Sequence, residues 1–331
     1  MREKKYYLGD TSRFQKLFKK ARQQEPVSLV FLGASVTLGF KIPEEDQFPV
    51  RIKQYFTDTF QNNRISLFNL SSPGLPSIHG LYQCYHEVSA YNPDLIVLDY
   101  SINDQKNPEF RTAYESLLVK ALSLPASPAV MSFFVKGRGE DGYTCAPHMS
   151  ITNEHYGVAY ANIGAQLEED IRTGLLSWTD YSYDDKHPGP EGHHYIAEKI
   201  IYLLQAMETA SPVTLPLPKT PLFGNNLAQL TFLEKPWISN CQSFPSSVEF
   251  TLTCRTLFIS YMVDTTPNMG QLSMEIDGVY AFTLDAYRIH EWNHPAYKVQ
   301  PLSEKKEPHK IRLYPDSAGH TVFYLLALGY H

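Results

Sequence analysis

The chain lacks the features that would point to metal, redox, nucleic-acid or membrane work. Only four of its 331 residues are cysteine, Cys84, Cys145, Cys241 and Cys254, and no two stand in a Cys-x-x-Cys spacing. Without that spacing neither a zinc knuckle nor a dithiol redox pair is indicated. Cys241 and Cys254 are expected as buried thiols, near enough in a β domain to approach each other. Basic residues are outnumbered, 29 Lys and Arg against 35 Asp and Glu for a net charge of −6, and their clusters are as short as "KLFKKAR". Phosphate backbones need a concentrated basic surface, so nucleic acid is not an expected partner. No stretch approaches the ~18 apolar residues of a membrane span, and "MREKKYYLGD" has charge but no apolar core of a leader. The expectation is a cytoplasmic protein without a membrane partner. Repeats, heptads and low-complexity tracts are also missing.

What is present is an ordinary globular composition, 43% hydrophobic and 19% charged, at a length that favours two domains. Phe14, Leu17 and Phe18 recur at helical spacing and predict an amphipathic helix from Thr11 to about Arg22, capped by Thr11 or Ser12. Near-continuous apolar runs follow at 28–35, 65–72, 94–101 and 129–135, with a weaker fifth at 158–163. Strands covered on both faces read this way, so the pattern predicts a doubly wound α/β sheet. A helix from Pro190 to Met207 closes that domain, with Pro190 at its first position. Four prolines in "ETASPVTLPLPKTPLFG" then suggest a stiff linker. The expected division is 1–210 for the α/β domain, 211–222 for the linker and 223–331 for an antiparallel β-sandwich of jelly-roll type, with a hairpin turn at Asp277-Gly278.

Ligands of a parallel α/β sheet sit beyond the carboxyl ends of its strands, so the residues that finish each strand carry the functional reading. Ser35 finishes the first run, among Gly33, Ala34 and Gly39. Gly74 lies past the second, and Asn103-Asp104 past the third. Asp184 and His187 stand three apart in "YDDKHPGPEGHH". Together they supply acyl-transfer chemistry: Ser35 as nucleophile, His187 as base and then acid, Asp184 orienting the imidazole. The backbone N–H groups of Ser35 and Gly74 and the amide of Asn103 are candidate oxyanion donors.

In these residues the chain resembles the SGNH, or GDSL-like, serine esterase superfamily. Its four blocks are matched in order by Gly33-Ala34-Ser35, Gly74, Asn103-Asp104 and Asp184-Asp185-Lys186-His187. Over nearly its whole length it is similar to two-domain clostridial carbohydrate esterases, through the stretch ending "VFLGASVTLGF", "LDYSINDQ", "DDKHP" and the terminal "LALGYH". The resemblance implies a flavodoxin-like three-layer α/β/α domain followed by a carbohydrate-binding-like β-sandwich. It also implies removal of O-acetyl groups from an oligo- or polysaccharide such as mannan or xylan, with no cofactor and no metal. Asp104, bracing the Asn103 loop, and Trp292 are the expected substrate-side residues. Ser101 and Ser71 depart from glycines common in the superfamily, which weakens Gly74 as a donor more than Ser35.

Each residue also has a plainer role: a helix cap for Ser35, a turn for Gly74, a loop-bracing amide for Asn103, a surface imidazole for His187. Asp185 is the competing acid, and His193 and His194 read as capping or packing residues rather than metal ligands. The aromatic stretch 284–297, with Tyr287, His290, Trp292, His294 and Tyr297, is expected as a loop for sugar stacking, part of the acceptor site, or as self-packing. Trp178 reads as cleft or core. Other functions open to the same sequence are a short-chain lipase or thioesterase, a sugar O-acetyltransferase, and a non-catalytic carbohydrate-binding protein. The sugar, its acylated position and the oligomeric state are not legible.

Overall fold

The computed structural model describes residues 4–139, 143–239, 243–288, 292–315 and 322–331. Within them the chain divides into two compact units, Met1–Ala228 and Gln229–His331.

The first unit is built on a sheet of six strands: β1 (Tyr6–Tyr7), β2 (Val27–Gly33), β3 (Ile65–Asn69), β4 (Leu95–Asp99), β5 (Ala129–Phe134) and β6 (Ala159–Asn162). Their spatial order is β1-β6-β5-β4-β2-β3. All neighbours from β3 to β6 run parallel, and β1 closes the edge antiparallel to β6. The five parallel strands thus take the flavodoxin-like order, with β3 and β4 on either side of β2. The weak fifth run is a strand, whereas β1 lies in a segment that gave no strand signal.

Alternate residues explain why the runs are apolar throughout. Leu29 and Phe31 point into one helical layer with Phe18, Phe48, Phe56 and Ile200, a core to which Val30 and Leu32 do not belong although they are equally buried. The helices behind these residues are α1 (Ser12–Arg22), α2 (Ser35–Leu38), α3 (Phe48–Phe60), α4 (Ser77–His86), α5 (Pro108–Leu122), α6 (Ala146–Tyr156), α7 (Ile163–Arg172), α8 (Trp178–Tyr181) and α9 (Pro190–Thr209). Helices α1, α3, α7 and α9 contribute to that core, while α5 packs on both α4 and α6. Pro190 begins α9 as its spacing predicts. The cap of α1 differs from expectation: Asp10 Oδ1 accepts the Ser12 N–H at 2.9 Å, and the Thr11 hydroxyl is used elsewhere.

That hydroxyl ties down the proline-rich stretch. Thr11 Oγ1 donates to Ser211 O at 2.9 Å and accepts the Val213 N–H at 2.8 Å. Further on, the fully buried Glu115 of α5 accepts the N–H groups of Leu222, Phe223 and Gly224 at 2.7, 2.7 and 2.9 Å. Proline removes donors, but the remaining amides of the stretch must be satisfied, and side chains of the first unit do so.

The second unit holds two four-stranded antiparallel sheets. Its strands are β7 (Thr231–Phe232), β8 (Val248–Cys254), β9 (Thr256–Val263), β10 (Gln271–Ile276), β11 (Val279–Asp285), β12 (His294–Pro301), β13 (Glu307–Pro315) and β14 (Leu325–Tyr330). One sheet runs β11-β10-β13-β8 and the other β12-β9-β14-β7. In β13 the buried positions His309, Ile311 and Leu313 alternate with exposed ones, while β9 is buried nearly throughout. Asp277 and Gly278 both have positive φ, 54° and 80°, as a two-residue hairpin turn requires, and join β10 to β11. Part of the expected aromatic loop is instead strand: His294 and Tyr297 lie on β12, paired with Val263 and Ser260 of β9. His290 lies outside the described residues, as does Cys241; Cys84, Cys145 and Cys254 are buried and free.

Candidate active site

The strand order places a crevice between the carboxyl ends of β2 and β4, where the chain leaves in opposite directions. Ser35 stands there. The backbone breaks at Ala34, with φ −112° and ψ −146°, and Ser35 opens the four-residue α2, which Gly39 ends at φ 78°. Gly33 is required by the tightness of this corner: a Cβ would lie 2.4 Å from Thr37 Oγ1 and 3.0 Å from Asp99 O. Ser35 is therefore the first helical residue rather than the cap, and its hydroxyl makes no capping bond.

That hydroxyl meets the imidazole instead. His187 Nε2 lies 3.0 Å from Ser35 Oγ, and His187 Nδ1 lies 2.8 Å from Asp184 Oδ2. The other carboxylate oxygen, Asp184 Oδ1, accepts the N–H groups of Lys186 and His187, each at 2.7 Å. Partial burial pushes the Asp184 carboxyl up, but the His187 side chain and those two N–H groups outweigh it and hold it at about 2. An ionised Asp184 accepts from Nδ1–H, which leaves Nε2 free to accept from the serine. Asp185 turns away, 3.9 Å from an Arg138 Nη1.

Three contacts outside the sequence pattern fix the loop. The Trp178 indole N–H donates to Asp184 O at 2.8 Å, the Ser182 hydroxyl donates to His187 O at 2.6 Å, and the Phe40 ring lies 5.2 Å from the imidazole. Trp178 is thus a loop holder. Phe40, directly after Gly39, is exposed in the fold and carries no signal in the sequence.

The remaining predicted residues lie on neighbouring loops. Pro73 and Gly74 occupy the centre of a turn closed by Leu75 N–H to Ser72 O at 3.3 Å, and Gly74 has φ 71°, as the second central residue of a type II turn does. The turn is moored to β2 by Ser72 N–H to Gly33 O at 3.1 Å. Asn103 is half-buried in the turn after β4, its N–H on Tyr100 O at 3.1 Å. Asp104 braces the Asn103 loop as expected, but its burial keeps it from the substrate contact also assigned to it. It is 1% exposed and accepts the Ser77 N–H at 2.7 Å, joining the Asn103 loop to the start of α4. Burial raises its carboxyl to about 7 against the opposing bonds from Ser77. Ser101 uses its hydroxyl on the residue that follows β5, donating to Val135 O at 3.0 Å and accepting the Val135 N–H at 2.8 Å.

Asp99, which sequence reasoning passed over, ends β4 beneath α2. It accepts the Thr37 hydroxyl at 3.1 Å, and burial pushes its carboxyl up to about 7. His193 is buried, with Nδ1 3.2 Å from the Phe48 N, and burial lowers it to about 4; His194 pairs with Glu198 at 3.3 Å. Among the described residues no grouping of three His, Cys, Asp or Glu side chains has the arrangement of a metal site, and no helix is long and apolar enough to cross a membrane. Trp292, in the second unit, is 51% exposed, with its ring 5.2 Å from that of His294.

No protein-family model and no curated protein matches the sequence. Solved structures do. A two-domain esterase (CEX) active on acetylated mannans superposes with a TM-score of 0.80, covering 98% of this chain and 96% of its own at 18% identity. The same two-domain esterase co-crystallized with mannopentaose gives 0.77, covering 97% and 95%, also at 18% identity. The chain therefore has the fold of these two-domain proteins, an α/β unit with a parallel sheet followed by an all-β unit of two antiparallel sheets.

Proposed function

We propose that the chain is a serine esterase of the SGNH type that removes O-acetyl groups from a carbohydrate. The observation that carries this is the unbroken hydrogen-bond chain Ser35–His187–Asp184, at 3.0 and 2.8 Å, at the switch point of the sheet. Ser35 Oγ attacks the acyl carbonyl while its proton passes to His187 Nε2, and ionised Asp184 stabilises the imidazolium through Nδ1. The oxyanion takes donors from the Ser35 and Gly74 N–H groups and the Asn103 amide. Collapse returns the proton to the departing sugar oxygen, and a water repeats the sequence on the acyl-enzyme.

The carbohydrate class rests on the two-domain fold it shares with esterases described as active on acetylated mannans. Exposed Trp292 is suited to stacking on a sugar ring. The test is acetate release from acetylated mannan, acetylated xylan and acetylated monosaccharides, with Ser35→Ala as the blank. Release from an acetylated glycan that the blank does not produce is the expected result. Turnover restricted to long-chain acyl esters would contradict the acetyl reading, and equal release by the blank would contradict the mechanism.

A further inference from the structure

The first unit contains a cavity of about 480 Å³ that neither Ser35, His187 nor Asp184 lines. Its size is that of a small-molecule site. Its lining is mixed: Leu167 of α7, Ile171 one turn on and Trp178 are apolar, while Lys136 and Arg138, which follow β5, and Arg172 at the end of α7 are cationic, both arginines being exposed to solvent. Glu168 is the one carboxylate in the lining, and Lys136 holds it at 3.2 Å.

The two guanidinium groups are uncommitted by comparison. Arg138 reaches Asp185 only at 3.9 Å and Arg172 reaches Glu169 only at 3.7 Å, and neither acid lines the cavity. Neither guanidinium has a hydrogen bond of normal length among the described residues. The indole N–H of Trp178 is already spent on Asp184 O at 2.8 Å, and the part of its ring not packed on the core and on Tyr181 adds apolar lining. A planar anion suits two guanidinium forks, whose donors match a carboxylate in pairs. A flat C–H face suits the aromatic wall. Inorganic phosphate would use the cations and leave that wall bare; a neutral sugar would use the wall and leave the cations unpaired.

We propose that this cavity binds a sugar acid of the hexuronate class, its carboxylate on Arg138 and Arg172 and its ring against Trp178. The site gives the protein a means of holding an acidic unit of a carbohydrate, whether free or within an oligosaccharide. The binding claim does not depend on the esterase reading, because no group of the Ser35 chain takes part in it.

Isothermal titration calorimetry of the full chain with sodium glucuronate tests it, with glucose, acetate and inorganic phosphate as comparators. Saturable binding of glucuronate is expected, with each comparator at least about tenfold weaker. Arg138→Gln and Arg172→Gln should each weaken glucuronate about tenfold. Trp178→Leu should weaken glucuronate while leaving any phosphate binding as it was. A glucuronate-bearing oligosaccharide binding more tightly than glucuronate would assign the site to a chain unit, and equal or weaker binding would assign it to the free acid; both support the site. No saturable heat with glucuronate, equal affinity for glucose, or affinity unchanged in both arginine variants would each overturn the proposal. Circular dichroism of the variants separates lost binding from lost folding.

Discussion

Among the described residues each unit contains a Ser–His–Asp chain, and their difference shows what a distance does not say. In the second unit His309 Nδ1 lies 2.7 Å from Asp277 Oδ2 and His309 Nε2 lies 3.3 Å from Ser303 Oγ, close to the 2.8 and 3.0 Å of the Ser35 chain. The protons run differently. Ser303 donates its only hydroxyl proton to Lys305 O at 2.6 Å, so the contact with Nε2 has a proton only if the imidazole supplies it. A second carboxylate, Glu307, lies 3.8 Å from the same nitrogen. His309 therefore has no serine hydroxyl proton to take, and it fastens the hairpin tip at Asp277 to the turn after β12. Among the described residues Ser35 Oγ has no competing acceptor, and it stands at the end of a buried parallel strand where the chain parts to leave a crevice.

That contrast predicts a steep hierarchy of effects. Ser35→Ala should lower kcat on an acetyl ester by on the order of 10⁴–10⁶-fold, while Ser303→Ala leaves it within about twofold. Steady-state kinetics on both variants would break the comparison if the two losses were similar. Asp184→Asn should cost on the order of 10³–10⁴-fold, because an amide that donates to Nδ1 selects the wrong tautomer. Gly33→Ala should cost about 10²-fold in kcat, since its Cβ must displace Thr37 and with it α2, and a shift near 1 Å at a nucleophile is worth about that much.

The smallest effect is on stability against pH. Burial raises the Asp99 carboxyl to about 7, so between the ordinary carboxylate range and about pH 7 the folded chain holds a proton that the unfolded chain has released. Stability then falls as pH rises through that window, by at most about 1.4 kcal/mol per pH unit for one such group. Asp104, raised likewise, adds its own share. Asp99→Asn keeps an acceptor for Thr37 and should flatten the slope, as read from urea midpoints at about pH 5 and about pH 7. Asp184 has the opposite sign: its carboxyl is held down, so its contribution is present above the ordinary range and lost only as pH falls through about 2.

The sheet of the first unit was legible because strands buried on both faces leave an uninterrupted apolar record, as Leu29 to Leu32 do on two opposite layers. Asp184 and His187 were legible because the pair is local, three residues apart with two backbone N–H bonds of its own. What escaped notice depends on partners far along the chain. Tyr6 and Tyr7 form a strand only because Ala161 and Tyr160 offer an edge. Glu115 looks like a surface acid of a helix until the amides of residues 222–224 arrive on it. Asp104 was legible as a brace of the Asn103 loop, but its partner there, the Ser77 N–H, was not. His294 and Tyr297 resembled a loop because their sequence does not alternate, yet β9 pairs with them.

The account stands on one hydroxyl being activated and its counterpart in the second unit not. Incubation of the full chain with a fluorophosphonate, followed by intact mass and peptide mapping, reads this directly. One phosphonyl adduct per chain, on Ser35, abolished by His187→Ala and unaffected by Ser303→Ala, is the predicted result. An adduct on Ser303, or an untouched Ser35 in protein that releases acetate, would contradict it.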